Sequence, residues 1–294
     1  IKFQIPGARR TALLNTLDPK KSTQIPLKAR YFDTSAHSLA HHGMALRLRL
    51  EGEQWVQTLK AAGQSHFHSF EHNHPLAPTE NPDTPPQLDL QIYQSIPEAQ
   101  QLLNHALGQN WDQLQLQFET DIQRTSRLMT VEDTDIEISL DVGHIRCADA
   151  EVEVHEVEFE LKQGEIADLI AYIQPWIKKY HLWLDTRSKS QRGNMLYNNE
   201  TMIPVQQQST LQLQHPENMH ELLAQITQNC LAHLLPNATA IASQDYASGH
   251  VHQARVAIRR LRSALKIFAE YDALANNNWE SQLASLFQQL GSTR

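Results

Sequence analysis

The chain has 294 residues, 40% of them apolar and 20% charged, with a formal net charge of −8. That length is enough for one large or two ordinary domains with real cores, and no run of eighteen apolar residues suggests a membrane span. The acidic balance argues against nonspecific nucleic-acid binding, while two well-separated cysteines, Cys147 and Cys230, and no signal-peptide pattern point to a reducing cytoplasm.

In chain order, Ile1 to Ile5 alternates as a short strand closed by Pro6, and Ala8 to Leu17 follows as an amphipathic helix ended by Asp18-Pro19. Gln24 to Asp33 reads as a strand, with Tyr31 packing and Asp33 capping the turn before a short helical segment near Gly43. The alternation Ala45-Leu46-Arg47-Leu48-Arg49-Leu50, the turn Glu51-Gly52-Glu53 and the run Gln54 to Ala61 predict a β-hairpin, with Arg47 and Arg49 on one face. Another strand spans His66 to Glu71; the histidines at 66, 68, 72 and 74 suit a metal tract or a polar strand edge. Pro75 to Pro86 is a proline-rich loop, and Pro97 to Gly108 is helical. Alternation resumes from Gln113 through Arg124 and Arg127. Asp135 to Asp141 is expected to pair with Gly143 to Ala148 across a turn at Val142-Gly143, followed by a strand from Val152 to Leu161. Gly164 breaks that strand, Glu165 to Tyr180 is a helix containing Pro175, and Leu182 to Lys189 is a last extended piece.

Within Val152 to Leu161, Glu156, Glu158 and Glu160 alternate with Val157, Phe159 and Leu161, so the acids share one strand face. Three like charges so close together repel unless a cation lies among them, and a hard divalent ion is a natural partner for carboxylates. A solvated sheet face is the plain alternative. Glu137 and Asp141, four apart, also share a face; either both are solvated or one is a metal-side or water-orienting carboxylate. Basic strands carrying Arg47, Arg49, Lys60, Arg124, Arg187 and Lys189 would meet the acidic strands in a barrel with a polar interior. Such a cavity suits a phosphorylated ligand, with guanidinium and ammonium groups on phosphoryl oxygens and glutamates holding a metal.

After Tyr197 the composition changes. Gln206 to Gln214 reads as a glutamine-rich linker, and Glu217 to Leu235, Ser248 to Tyr271 and Trp279 to Leu290 have helical periodicity. His252, Arg255, Arg259, Arg262 and Lys266 form one stripe down the second of these helices, with no acid before Glu270. That stripe is a candidate polyanion-binding face, unless a partner helix or downstream acids neutralise it.

Tyr31-Phe32-Asp33-Thr34, Gly43 to Arg49, Trp55 with Thr58-Leu59-Lys60, and Glu156 to Gly164 resemble the CYTH family, the triphosphate tunnel metalloenzymes. His252-Gln253-Ala254-Arg255-Val256 through Arg259-Arg260-Leu261-Arg262 resembles the opening of a CHAD domain. The resemblance implies an α+β fold, an eight-stranded antiparallel β-barrel tunnel over residues 1–200, followed by an all-helical domain over 210–294 that continues in a longer CHAD domain. It implies a cytoplasmic hydrolase that uses Mg²⁺ or Mn²⁺ to split inorganic tripolyphosphate, with polyphosphate bound by His252, Arg255, Arg259, Arg262 and Lys266. By motif, Lys2, Arg47, Arg49, Lys60, Arg124, Arg187 and Lys189 bind substrate, and Glu156, Glu158 and Glu160 take metal-side and catalytic roles with Glu137. Lys2 takes the lysine place of the family's opening Glu-x-Glu-x-Lys signature, whose glutamates would fall before residue 1. His68-Ser69-Phe70 stands where the family tends to place an arginine, which would thin the phosphate contacts. Rival readings are an organic triphosphatase or adenylate cyclase on the same tunnel, or a non-catalytic polyphosphate-binding adaptor.

Overall fold

The computed structural model describes residues 1–65, 68–78, 81, 84–271 and 278–291, with backbone alone for 62–65 and 68–69. Contacts divide the chain into two compact units, Ile1–Glu200 and Thr201–Arg294.

The first unit is built on one antiparallel sheet. In chain order its strands are β1 (Lys2–Gln4), β2 (Thr23–Asp33), β3 (Met44–Glu51), β4 (Gln54–Ser65), β5 (His68–Pro75), β6 (Gln115–Val131), β7 (Thr134–Cys147), β8 (Ala150–Gln163) and β9 (Trp183–Leu184). Their order across the sheet is β5-β4-β3-β2-β6-β7-β8-β1-β9. The sequence leads one to expect eight strands closed into a barrel. Among the described residues the structure has nine, and the hydrogen-bonded ladder ends at β5 on one side and β9 on the other. The β1 and β9 strands are only three and two residues long, which leaves little backbone with which to carry the ladder onward.

Alternation on each strand separates two faces. Leu46, Met44, Leu59 and Ala61 turn outward beneath α2 (Ser38–His41) and α3 (Pro97–Leu107), where Leu39, Ala99, Leu103 and Leu107 meet them. Ala99, Leu103 and Leu107 recur every four residues, so α3 lays one apolar stripe on the sheet. The other half of the outer face, Phe3, Ile136, Ile138, Leu140, Val157 and Phe159, packs against Leu13 and Leu17 of α1 (Arg10–Leu17) and Leu169 and Ile173 of α4 (Ile166–Tyr180). Asp33 ends β2 and caps α2, its carboxylate accepting the N–H groups of Thr34, Leu39 and Ala40 at 2.7–2.9 Å.

The inner face is apolar at one end only. Leu27, Ala29, Tyr31, Phe118, Ile122, Ile145 and Val154 cluster there beside Leu196 of α5 (Lys189–Tyr197). Tyr31 and Phe118 stack with centroids 4.6 Å apart. A β-carbon at Gly193 would strike the Phe118 ring, so glycine lets α5 lie close against the sheet.

Two local expectations are corrected. Val142-Gly143 is no turn: β7 runs unbroken through it, and the chain reverses after Cys147. Gly143 is needed because a β-carbon there would collide with the backbone carbonyl of Asp121 on β6. Nor is Lys189 at the end of an extended piece. It opens α5, because Ser188 caps that helix by accepting the Gln191 N–H at 3.0 Å. The expected strand at 66–71 begins at His68 in the described structure, and His66 falls outside the described residues.

The second unit holds α6 (Met219–Ala242), α7 (Ser248–Phe268) and α8 (Trp279–Gln289). Leu223, Cys230 and Leu234 of α6 pack on Ala254, Ala257, Ile258, Leu261, Leu265 and Phe268 of α7, with Leu283 and Phe287 of α8 alongside. Asn218 starts α6, its side chain accepting the Glu221 N–H at 2.9 Å. Among the described residues no helix is long and apolar enough to cross a membrane.

Candidate active site on the inner face of the sheet

Register places the charged side chains in rows. Gln4, Glu156, Asp141 and Arg124 are successive cross-strand partners on β1, β8, β7 and β6. The next row reads Lys2, Glu158, Ser139 and Ser126 on the same strands. Cross-strand partners share a face, and it is the face opposite Phe3, Leu140 and Val157. Helix α5 contributes Lys189 and Arg192 from its first turn.

At the centre, Asp141, Glu156 and Glu158 bring one oxygen each to within 4.8 Å of one another. Asp141 and Glu156 are fully buried. Arg124 makes a two-pronged bond to Asp141, both contacts 2.6 Å, and reaches Glu158 at 2.9 Å. Lys189 Nζ lies among all three acids: 2.7 Å from Asp141 Oδ2, 3.2 Å from Glu158 Oε1, and paired with Glu156 Oε1. The other Glu156 oxygen accepts from Gln4 at 3.2 Å and has Lys2 and Arg192 at 3.6 and 3.7 Å.

Behind this cluster, Asp185 is buried and grips Arg187 through two contacts of 3.0 Å. It also accepts the second contact of Gln4 at 3.0 Å, while the Arg187 carbonyl accepts from Lys2. Five cations thus surround four carboxylates. Burial alone would raise the Asp141 and Glu158 carboxyls. Hydrogen bonds from Arg124 reverse that for Asp141, and the charge of Lys189 reverses it for Glu158, so both lie below the usual carboxylate range. Burial works to lower Lys189, yet Glu158, Glu156 and Asp141 hold it above the ordinary lysine value. For Lys2 burial wins over Glu156 and Asp185, and its ammonium is pulled down.

Glu160 is not brought into this cluster. It pairs across the ladder with Glu137, and Lys162 bridges the two at 2.9 and 3.0 Å. Further along the same face, Arg47 donates to the Tyr31 hydroxyl at 3.3 Å, and its buried Nε has no partner among the described residues. Arg49 is paired with Glu51 and Lys60 with Glu71 at 2.8 Å. Burial pushes the Glu71 carboxyl up, but Lys60 outweighs it and the net shift is downward. The inner face therefore collects Lys2, Arg47, Arg49, Lys60, Arg124, Arg187 and Lys189, with Arg47 the member left without a carboxylate among the described residues.

The basic stripe of α7 splits in two. Arg255 lies over the Phe287 ring at 4.0 Å and donates to the Phe287 carbonyl at 2.7 Å. Arg262 pairs with Glu280 at 2.8 Å, and Lys266 reaches the same carboxylate at 3.4 Å. His252 and Arg259 are exposed. The neutralising acid comes from α8.

Asp185, Arg192 and Gln4 were not singled out from sequence. Asp185 and Arg192 act through a loop and a helix whose positions carry no periodic signal, and Gln4 gains its role only from the register that sets it beside Glu156. Asp141 was legible as a shared-face acid four residues from Glu137, but its pairing with Arg124 needed the β6–β7 register.

This chain belongs to the CYTH domain family, whose model matches residues 1–193, and residues 225–294 match the CHAD domain. It is similar to an inorganic triphosphatase of Haemophilus influenzae, 31% identical over 169 residues, which is 56% of this chain and 44% of that protein. The match thus spans less than half the length of that relative. Among solved structures, a Bacillus halodurans protein described as an adenylate cyclase is 17% identical over 65% of this chain and 94% of its own, with a TM-score of 0.45. A Hippeastrum adenylyl cyclase described as having a dominant triphosphatase activity is 18% identical over 69% and 96%, with a TM-score of 0.44.

Proposed function

We propose that the chain hydrolyses triphosphates on the inner face of the sheet, that its preferred substrate is inorganic tripolyphosphate, and that it needs Mg²⁺ or Mn²⁺. The observation that carries this reading is the convergence of Lys2, Arg124, Lys189 and Arg192 on Asp141, Glu156 and Glu158, with Arg187 held beside them by Asp185 and with Arg47, whose Nε has no partner among the described residues, on the same face. In this reading residues 1–200 are the triphosphate-handling domain, residues 210–294 the polyphosphate-binding one, and the protein works in the cytoplasm.

The donors fit a hard divalent ion. Asp141, Glu156 and Glu158 offer oxygen only, at a separation one ion can bridge. They would hold it here, and it would supply charge neutralisation and polarisation of the phosphoryl group attacked. The chain's own part is to bind and orient. Arg47 and Arg49 face phosphoryl oxygens from β3, Lys60 from β4, and Arg124 and Lys2 from the acidic side. A water oxygen attacks the terminal phosphorus, the bridging P–O bond breaks, and diphosphate leaves with its new negative charge held by these cations. Glu137 and Glu160, steered by Lys162, orient the water.

In the helical unit, His252, Arg259 and Lys266 recur every seven residues and form the outer line of α7. They carry the polyphosphate contact, Lys266 while also reaching Glu280, and Arg255 and Arg262 hold the stripe against α8.

The test is phosphate release from tripolyphosphate, ATP and thiamine triphosphate with Mg²⁺ and Mn²⁺. Glu158→Gln should lower release from tripolyphosphate by about 100-fold or more. Near-normal turnover in that variant overturns the assignment, and preference for an organic triphosphate overturns the inorganic one.

A further inference from the structure

Among the described residues, Lys189 is the one cation that touches all three central carboxylates, the same three that come close enough together to hold one ion. It takes Asp141 Oδ2, Glu156 Oε1 and Glu158 Oε1. The remaining oxygens are occupied from outside: Asp141 Oδ1 by Arg124, Glu158 Oε2 by Arg124, and Glu156 Oε2 by Gln4 with Lys2 nearby. An ammonium has three N–H donors, and here three carboxylate oxygens surround it. The side chain is 16% exposed and is anchored at the first residue of α5, where the Ser188 cap fixes the backbone. Asp141 Oδ2 also accepts from Arg124 at 2.6 Å, so what excludes a divalent ion is space: the ammonium nitrogen already fills the position among Asp141, Glu156 and Glu158 that the ion would take.

We infer that Lys189 is a tethered competitor for the divalent cation: its ammonium fills the cage of Asp141, Glu156 and Glu158, and the ion binds only as Lys189 leaves. This rests on the reading of that cage as the cation site. Leaving costs Lys189 three charge-assisted contacts, so a polyanion that offers replacement oxygens to the ammonium favours the exchange. Substrate and metal then help each other to bind, because both favour the conformation with Lys189 out of the cage.

The experiment measures Mn²⁺ binding to the chain by electron paramagnetic resonance, without substrate. Lys189→Met should bind Mn²⁺ at least about tenfold more tightly than the wild type, the equivalent of one charge-assisted hydrogen bond no longer broken. Adding Glu158→Gln to Lys189→Met should remove that gain. Equal affinity in wild type and Lys189→Met, with binding still lost on Glu158→Gln, overturns the role of Lys189 and leaves the cation site standing. Binding indifferent to Glu158→Gln overturns both. Since Lys189→Met leaves buried acids with one cation fewer, a second measurement uses the wild type alone. Mn²⁺ at occupying concentrations should raise acetylation of Lys189, read by mass spectrometry, severalfold. Labelling unchanged with the site occupied overturns the inference.

Discussion

Asp185 is buried and accepts four hydrogen bonds: from the Arg187 backbone, twice from the Arg187 guanidinium, and from Gln4. Burial would raise its pKa, but the bonds from Arg187 and the charge of Lys2 carry it below the ordinary 3.8. A carboxyl depressed on folding stabilises the native state above its unfolded pKa, and that contribution is lost as pH falls through the folded value. Asp185→Asn should therefore cost about 3 kcal/mol near neutral pH, as Arg187 is left buried without its anion. The gap from wild type should narrow below pH 3.8. Urea unfolding from pH 7 to pH 3 checks both, and a gap that widens on acidification would contradict the ion-pair account.

At the scale of elements, β7 and α7 show how neighbours decide what a pattern means. Gly143 lies where β6 passes too close for a side chain, so β7 runs straight on. Gly143→Ala should destabilise the first unit by about 1–3 kcal/mol, read as a lower Tm, through collision with the Asp121 carbonyl. On α7, Arg259 and Arg262 are chemically alike yet differently placed. Arg259→Ala should leave Tm unchanged and weaken retention on a long-chain polyphosphate matrix. Arg262→Ala should lower Tm modestly, because it removes the nearer of the two cations on Glu280 of α8.

For the whole molecule, the balance of charge matters more than any single pair. Asp141, Glu156 and Glu158 already have Arg124, Lys189 and Lys2 as partners. Chelating divalent ions should therefore stop phosphate release without unfolding the chain. Circular dichroism and phosphate release, measured together with and without chelator, check this; loss of structure on chelation would mean the metal is part of the fold.

Most of the element pattern was legible in the sequence, because alternation and helical periodicity are local. The hairpin at Arg47, the carboxylate strand and the three C-terminal helices can each be read from a dozen residues. The shared inner face was legible too, since a period of two places Glu156, Glu158 and Glu160 together whatever their neighbours are. Register was not. Which acid meets Arg124, whether Glu160 joins the cluster or turns to Lys162, and that Lys189 reaches in from the start of a helix all depend on strands and loops far apart in the chain. Side-chain type and spacing fixed the inventory of charges; only tertiary contact paired Asp141 with Arg124 and set one ammonium among three carboxylates.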